Sequence, residues 1–214
     1  MLRILTLNGS PVKNSSTGML LEYVVKGIEQ ASNDPVENRV VNLNELKILP
    51  CQSCGESPAP DYCLFHDDIN PLFDYLLNCD VVLFGSPIYF DTVSAQAKCF
   101  IDRCNCLRPP NFDDKSKEDF GKIITKERLG GIILVGGERG EFECARKVIA
   151  GFFKWVRIRN CGTISYINTD FGKAGSPLMP RKSCGTGGSP ARAGDAARQS
   201  TARASLIDDL RGRS

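Results

Sequence analysis

Small hydroxyl and amide side chains crowd one short bend near the start of the chain. The segment LNGSPVKNSST, residues 7–17, holds a single cation, Lys13, among neutral polar residues. It lies between two apolar stretches, so a strand-to-helix turn with a capping residue is the simplest interpretation. Hydroxyls, amides, one cation and the free N–H groups of a helix start also suit a phosphate dianion. We call residues 7–17 the first loop; taken alone, it leaves both interpretations open.

Two later segments carry complementary chemistry. The second loop, GSPIYFDTVSAQ at residues 85–96, offers an apolar and aromatic wall suited to a flat ring, formed by Pro87, Ile88, Tyr89 and Phe90. The third loop, GGERGEFE at residues 136–143, contains glycines that let the backbone approach such a ring and present N–H groups to its edge. Each segment is a weak signal by itself, so their placement in the fold decides their meaning.

The elements around these loops alternate in type. Hydrophobic periodicity predicts strands at 3–8, 38–43, 80–87, 129–137 and 161–168, and helices at 16–31, 69–79, 92–104 and 141–156. Five strands that alternate with helices predict a doubly wound α/β domain, with a parallel sheet and helices on both of its faces. In the strand order 2-1-3-4-5, ligands bind at the carboxyl ends of strands 1 and 3. The first and second loops then flank one crevice, and a phosphate beside a planar ring describes flavin mononucleotide, FMN.

The chain resembles a known family at these residues. GSPVKNSST, GSPIYFDTVSAQAKCFIDR and GGERGEFE are similar to motifs of the flavodoxin-like NAD(P)H-dependent FMN reductases, and more closely of their iron-sulfur flavoprotein branch. The resemblance spans roughly residues 1–178 and implies a flavodoxin-like fold. It implies that Pro87, Ile88, Tyr89 and Phe90 line the isoalloxazine, with Gly137 and Arg139 from the third loop. It assigns the FMN phosphate to Ser10, Lys13, Asn14, Ser16 and Thr17. In the third loop the chain has Gly-Glu-Phe-Glu after Arg139, where family members often have Gly-Gly-Gln-Glu.

Three cysteines stand together in CQSCGESPAPDYCLFHDD, residues 51–68, which we call the cysteine segment. The iron-sulfur flavoprotein pattern is C-x2-C-x2-C with a fourth cysteine further on; Cys51, Cys54 and Cys63 fit it, but Ser57 occupies the third position. A four-iron cluster normally takes four thiolates. A zinc set of these three cysteines with His66, the only histidine, has suitable ligand types. A loop of reduced thiols without a metal is the third interpretation, and the favoured one.

The resemblance predicts an FMN-dependent oxidoreductase that takes hydride from NAD(P)H and reduces quinones, flavins or similar small acceptors. The absence of an acid-base pair or a nucleophile beside a histidine agrees with chemistry carried by a cofactor. An electron carrier between ferredoxin and an acceptor, with an iron-sulfur cluster, is the alternative; a flavin-binding sensor without turnover is a third class. Relatives in this fold commonly assemble, so we expect a homo-oligomer, to which the long 104–128 connection contributes.

Composition narrows the classes of function. The chain has 214 residues, of which 42% are hydrophobic and 24% charged, with a net charge of +2. These values are ordinary for a globular protein, and no run approaches the length of a membrane span. Ten cysteines without a secretory signal favour reduced thiols in the cytoplasm. Residues 181–214 hold 7 Lys and Arg against 3 Asp and Glu. We therefore predict one domain over 1–180, a flexible Ala/Arg/Gly/Ser-rich tail over 181–214, and no nucleic-acid or membrane partner.

Overall fold

Five parallel strands form the centre of the molecule. The computed structural model describes residues 1–54, 62–107, 126–137 and 141–167. The strands are β1 (Leu2–Asn8), β2 (Val36–Asn42), β3 (Val81–Tyr89), β4 (Thr92–Val93), β5 (Arg128–Gly136) and β6 (Ile158–Ile167). The parallel strands follow the order β2-β1-β3-β5-β6, and the two-residue β4 pairs antiparallel with β3. Counted without β4, this is the predicted order 2-1-3-4-5, so the predicted doubly wound sheet is confirmed.

Helices cover both faces of this sheet. They are α1 (Ser16–Ala31), α2 (Asn70–Asn78), α3 (Ala95–Arg103) and α4 (Phe142–Trp155), with single 3-10 turns at Leu43–Glu45 and Cys104–Cys106. Alternate residues of each strand supply two separate cores, because successive side chains point to opposite faces. On one face, α1 packs Leu21, Val25 and Ile28 against strand residues such as Ile4. On the other, α2, α3 and α4 enclose a larger core.

The predicted helix at 92–104 begins three residues too early. Thr92 and Val93 pair with Tyr89 and Ile88, so they belong to a β-hairpin, and α3 starts only at Ala95. Ser94 is the N-cap residue, and its side chain accepts a hydrogen bond from the N–H of Ala97. The hairpin also extends β3 two residues beyond the predicted end at 87. Pairing with β3 therefore overrides the helical pattern at this point.

Several predictions concern parts of the chain outside the described residues. These are the tail at 181–214, most of the 104–128 connection, Arg139, and Ser57 with its neighbours. The division into a domain and a tail accordingly stays a prediction. None of the helices in the described ranges is long and apolar enough to cross a membrane.

Candidate functional site

The first loop is held by the side chain of Asn8 at the end of β1. Its Oδ1 accepts a hydrogen bond from the N–H of Ser10 at 3.1 Å, and its Nδ2 donates to Asn42 of β2 at 3.1 Å. The Ser10 hydroxyl in turn accepts from the N–H of Val12 at 3.3 Å. These bonds turn the chain sharply after the strand, so that the loop returns to the sheet edge before α1 begins.

The loop enters α1 through a left-handed residue and a serine cap. Asn14 has a φ of 53°, a conformation that asparagine tolerates better than most residues. Ser15 is the N-cap and accepts a hydrogen bond from the N–H of Gly18 at 3.2 Å. The first helical residues, Ser16 and Thr17, have no intrahelical acceptor for their N–H groups. The start of α1 therefore offers two free backbone donors beside the predicted phosphate ligands.

The predicted phosphate ligands lie together on this one turn. Ser10 and Thr17 are buried, Ser16 is half-buried, and Lys13 and Asn14 are exposed. Within the described ranges, Lys13, Asn14 and Ser16 make no side-chain hydrogen bond or ion pair. A cleft of about 520 Å³ opens between α1 and β2 beside the loop; Ser10, Lys13 and Asn14 contribute to its lining, and the second loop does not. The loop thus presents unpaired polar groups, including a cation, to an open cleft.

The first and second loops are bonded to each other. The N–H of Gly9 donates to the carbonyl of Gly85 at 2.8 Å. The Ser94 hydroxyl donates to the carbonyl of Gly9 at 2.6 Å, and the Ser94 N–H donates to the hydroxyl of Ser86 at 3.0 Å. A Cβ atom on Gly9 would lie only 3.0 Å from Ala97 Cβ and from the Gly85 carbonyl oxygen. Hydrogen bonds therefore join the two loops that flank the predicted crevice into one unit.

Sequence reasoning missed the serine that joins these loops. Ser94 is fully buried, caps α3, and bonds to both loops. The signal was present: a serine just before a helical pattern is a common N-cap. A helix predicted to begin at Thr92 places Ser94 inside the helix, which hides its capping position.

The residues predicted to form an aromatic wall differ in exposure. Pro87 and Ile88 are half-buried at the end of β3, and Ile88 lies beside Gly136 of β5. Tyr89 is 44% exposed, and the ring of Phe90 is fully exposed at 102%. Pro87 and Ile88 therefore border the crevice, and Phe90 lies at the tip of the adjoining hairpin, where its contact with the flavin ring stays a prediction.

The third loop begins at the same sheet edge, because β5 lies next to β3. Gly137 has open space where a Cβ atom would be, so the described neighbours do not require a glycine there. Arg139 lies outside the described residues. After the gap, the N–H of Glu141 donates to Asp91 Oδ1 of the hairpin at 3.0 Å. This bond ties the end of the third loop to the second.

The cysteine segment is fastened to α3 by Arg103. This guanidinium is 1% exposed and donates to both carboxylate oxygens of Asp67, at 2.6 and 3.1 Å. It also donates to the Leu49 carbonyl at 2.9 Å and to Cys63 Sγ at 3.3 Å. Burial alone would lower the pKa of Arg103, but its hydrogen bonds with Asp67 and Cys63 outweigh burial and raise it. Cys63 is buried, Cys51 half-buried and Cys54 exposed.

The family follows from comparison with known proteins. A family model described as NADPH-dependent FMN reductase matches residues 2–170. The chain belongs to this family. It is an NAD(P)H-dependent FMN oxidoreductase, with FMN and a reduced nicotinamide as its cofactors, as the resemblance implied.

Curated relatives of this FMN reductase belong to the iron-sulfur flavoprotein branch. One from Methanocaldococcus jannaschii is 28% identical over 178 residues, covering 81% of this chain and 84% of the relative. Another, from Archaeoglobus fulgidus, is 30% identical and covers 70% of each chain. A solved NADH:FMN oxidoreductase in its apo form has a TM-score of 0.60 and 15% identity, over 100% of this chain and 90% of that one. The structural likeness supports the fold alone.

The described residues of this FMN reductase fit its cofactor. The unpaired side chains of Lys13, Asn14 and Ser16, with the N–H groups at the start of α1, match the acceptor oxygens and negative charge of a phosphate. Pro87 and Ile88 supply apolar surface at the adjoining strand end. One edge of the sheet therefore offers polar groups for the FMN phosphate and apolar surface for the isoalloxazine ring.

The described part of the cysteine segment shows no assembled ligand set for an iron-sulfur cluster or a zinc ion. No three His, Cys, Asp or Glu side chains are grouped for metal binding in the parts of the chain that the structure describes. Cys63 is bonded to Arg103, and the pattern supplies three cysteines where four are normal. Cys51, Cys54 and Cys63 as metal ligands stay a prediction, and we derive no chemistry through a metal.

Proposed function

We propose that this FMN reductase oxidises NAD(P)H and delivers the electrons to small acceptors such as quinones or free flavins. The observation that carries the proposal is the bonded unit of the first and second loops, which Gly9, Gly85 and Ser94 hold together. FMN, when bound, accepts a hydride from a reduced nicotinamide and passes electrons on. The protein then needs to bind and orient it, and needs no acid-base pair.

The predicted flavin-binding residues have proposed roles in that binding. The Lys13 ammonium and the N–H groups of Ser16 and Thr17 balance the charge of the phosphate, because a helix start favours anions. Pro87 and Ile88 pack on the isoalloxazine and exclude water from one side. We assign further phosphate contacts to Ser10 and Asn14, and further contacts with the ring to Tyr89, Phe90, Gly137 and Arg139.

Substitution of Lys13 tests the phosphate assignment. We expect Lys13→Gln to weaken FMN binding about tenfold or more and to leave riboflavin, which lacks the phosphate, within twofold of wild type. Lys26→Gln is the matched control, since Lys26 is an exposed lysine in α1 away from its first turn. Fluorescence titration of the apoprotein with both flavins gives the dissociation constants. Equal losses for FMN and riboflavin would contradict the assignment.

Steady-state oxidation of NADH and NADPH with a panel of acceptors tests the reaction itself. We expect turnover with at least one quinone or free flavin, at a rate that rises with FMN occupancy. A protein that holds FMN but transfers no electrons from either nicotinamide to any acceptor in the panel would refute the proposal.

An electron carrier is the second candidate, because the curated relatives are named iron-sulfur flavoproteins. In that function a protein such as ferredoxin would supply electrons through FMN and a cluster. Iron and acid-labile sulfide in anaerobically purified protein distinguish the two. About four of each per chain would support the carrier, and their absence would leave the reductase.

A further inference from the structure

The hairpin between β3 and β4 turns through an aspartate in a backbone conformation that favours glycine. Phe90 and Asp91 form the two-residue turn, and both have positive φ, 49° and 59°. Such a turn prefers glycine at its second position, because glycine adopts a positive φ without strain. Aspartate is tolerated there at a cost, so we looked for a contact of its side chain that offsets this cost.

The carboxylate of Asp91 serves as a cap for helix α4. Its Oδ1 accepts a hydrogen bond from the N–H of Glu141 at 3.0 Å, although the two residues lie 50 positions apart. Glu141 is the N-cap residue of α4, and its own side chain makes no capping bond. The first N–H groups of a helix lack intrahelical acceptors, and negative charge is favourable at that end. The hairpin therefore supplies the acceptor that the start of α4 lacks.

Apolar packing holds the other end of the third loop to the same hairpin. A Cβ atom on Gly136 would lie 2.9 Å from Phe142 Cζ and 3.4 Å from Ile88 Cγ1. The first residue of α4 and a wall residue of β3 thus both lie against the glycine that ends β5. The third loop is therefore attached to the second at both of its ends, by packing at Gly136 and by a hydrogen bond at Glu141.

Two side chains of the hairpin region tie the three loops together. Ser94 donates to the carbonyl of Gly9 and so joins the second loop to the first. Asp91 joins the second loop to the third. No other side-chain hydrogen bond connects the second and third loops among the residues that the structure describes. Loss of the Asp91 carboxylate would therefore release the start of α4 from the hairpin and leave the first two loops joined.

We propose that Asp91 is a positioning residue that holds the third loop against the second and thereby tunes the reduction potential of bound FMN. The inference rests on the proposed function, because it concerns the ring site of that same reductase. Asp91 acts through the backbone of Glu141 and has no assigned contact with the cofactor. Hydrogen bonds at the edge of the ring tune the electronics of a flavin. A third loop that is no longer held should stabilise the reduced flavin less well.

Two substitutions of Asp91 separate the hydrogen bond from the turn. Asp91→Gly removes the acceptor and suits the positive φ, whereas Asp91→Asn keeps an Oδ1 acceptor and tolerates the turn. The holoprotein is equilibrated without oxygen with phenosafranine, a dye of known potential, and the visible spectrum gives the ratio of reduced to oxidised FMN. We expect this ratio to fall about threefold or more in the glycine variant, the effect of one weak hydrogen bond, and to stay within about twofold in the asparagine variant.

Arg157→Gly is the matched control. Arg157 is another exposed residue with positive φ, 54°, and it lies just before β6, at the opposite end of the sheet from the three loops. Its substitution should leave the FMN ratio within about twofold of wild type. In Asp91→Gly the relief of backbone strain offsets the lost bond, so its melting temperature should stay close to that of wild type. A merely structural role would lower the melting temperature and leave the FMN ratio unchanged.

Three results would overturn the inference: an unchanged FMN ratio in Asp91→Gly, an equal fall in Asp91→Asn, or the same fall in Arg157→Gly. Wild-type protein whose FMN is reduced by neither NADPH nor NADH would refute the proposed function itself. The dye equilibrium measures the potential without a nicotinamide, so that failure is distinguishable from a failure of the Asp91 assignment.

Discussion

Arg103 and Asp67 form a bidentate ion pair that anchors the cysteine segment to α3. The two N–O distances are 2.6 and 3.1 Å, and the side chains are 1% and 13% exposed. Removing one partner of such a pair is costly, because the remaining charge stays buried without a partner. Residues 62–68 of the cysteine segment are therefore anchored to the domain, whether or not its thiols bind a metal.

Asp67→Asn should destabilise the protein by about 3 kcal/mol, because it removes the charge that balances a buried guanidinium. The free energy of unfolding in urea at pH 7 measures this. Asp102→Asn is the matched control: Asp102 pairs with Lys98 on the exposed surface of α3, and its loss should cost about 0.5 kcal/mol or less. Equal effects of the two substitutions would show that the buried pair contributes no more than a surface one.

The same pair predicts a dependence on pH. Burial alone would raise the pKa of Asp67, but hydrogen bonds from Arg103, Leu49 and Ile69 outweigh it and lower that pKa below its ordinary value of 3.8. A carboxylate with a lowered pKa stabilises the fold above its unfolded pKa, and this contribution is lost as the pH falls through the folded pKa. The stability difference between wild type and Asp67→Asn should therefore shrink below about pH 4. Urea unfolding from pH 7 to pH 3 checks this, and a constant difference would contradict it.

Ser94→Ala should weaken both the fold and the binding of FMN. It removes a helix cap, at about 1 kcal/mol, and leaves the buried Gly9 carbonyl without its donor, at about 1–3 kcal/mol. Ser15→Ala is a control that removes only the cap of α1 and should cost about 1 kcal/mol. Urea unfolding with flavin titration measures both effects. The account of the bonded loops fails if Ser94→Ala is no more disruptive than the control.

Gly85→Ala should push α1 away from β3. The new Cβ would lie 2.6 Å from Leu21 Cδ1 and 2.8 Å from Thr17 Cγ2, both in the part of α1 next to the first loop. We expect a loss of about 1–3 kcal/mol and a weaker affinity for FMN. Gly151→Ala is the opposite case, because its Cβ would meet nothing within 4 Å and the residue lies in α4. It should stabilise the protein by about 1 kcal/mol. Thermal unfolding measures the melting temperatures of both variants. Shifts in the same direction would contradict the geometry.

The cysteines should differ sharply in reactivity. Burial raises the pKa of Cys79 to about 11, and burial aided by the charges of Cys63 and Cys51 raises that of Cys106 to about 12. The thiolate is the reactive form, so both should resist alkylation at pH 8 in the native protein, whereas the exposed Cys144 should react quickly. Mass spectrometry after timed iodoacetamide treatment measures each site. Rapid labelling of Cys79 in folded protein would show that its surroundings open readily.

Much of the fold follows from the sequence because its signals are local and repeated. Helix α1 begins and ends where the periodicity predicts, at 16 and 31, because a serine cap precedes an apolar stripe of helical spacing. The buried runs in β3 and β5 likewise predict central strands, since both faces of a parallel sheet are covered. Their order then places the first and second loops at one edge.

The remaining features depend on contacts between residues distant in the chain. Thr92 and Val93 join a hairpin because β3 offers them partners, which no local pattern indicates. Arg103 looks like an ordinary surface residue at the end of a helix, and its burial is explained by partners distant in the chain, above all Asp67, 36 residues away. The sequence therefore predicts that the first and second loops meet at one sheet edge, and it does not predict the hydrogen bonds between them.

The most direct test of the account is a visible absorption spectrum of protein purified without oxygen, recorded before and after NADPH is added. We predict two resolved flavin bands that bleach when NADPH is added and return with a quinone. A spectrum without flavin bands after incubation with FMN, or flavin bands that neither NADPH nor NADH bleaches, would contradict the central claim that the bonded loops make this protein an FMN-dependent reductase.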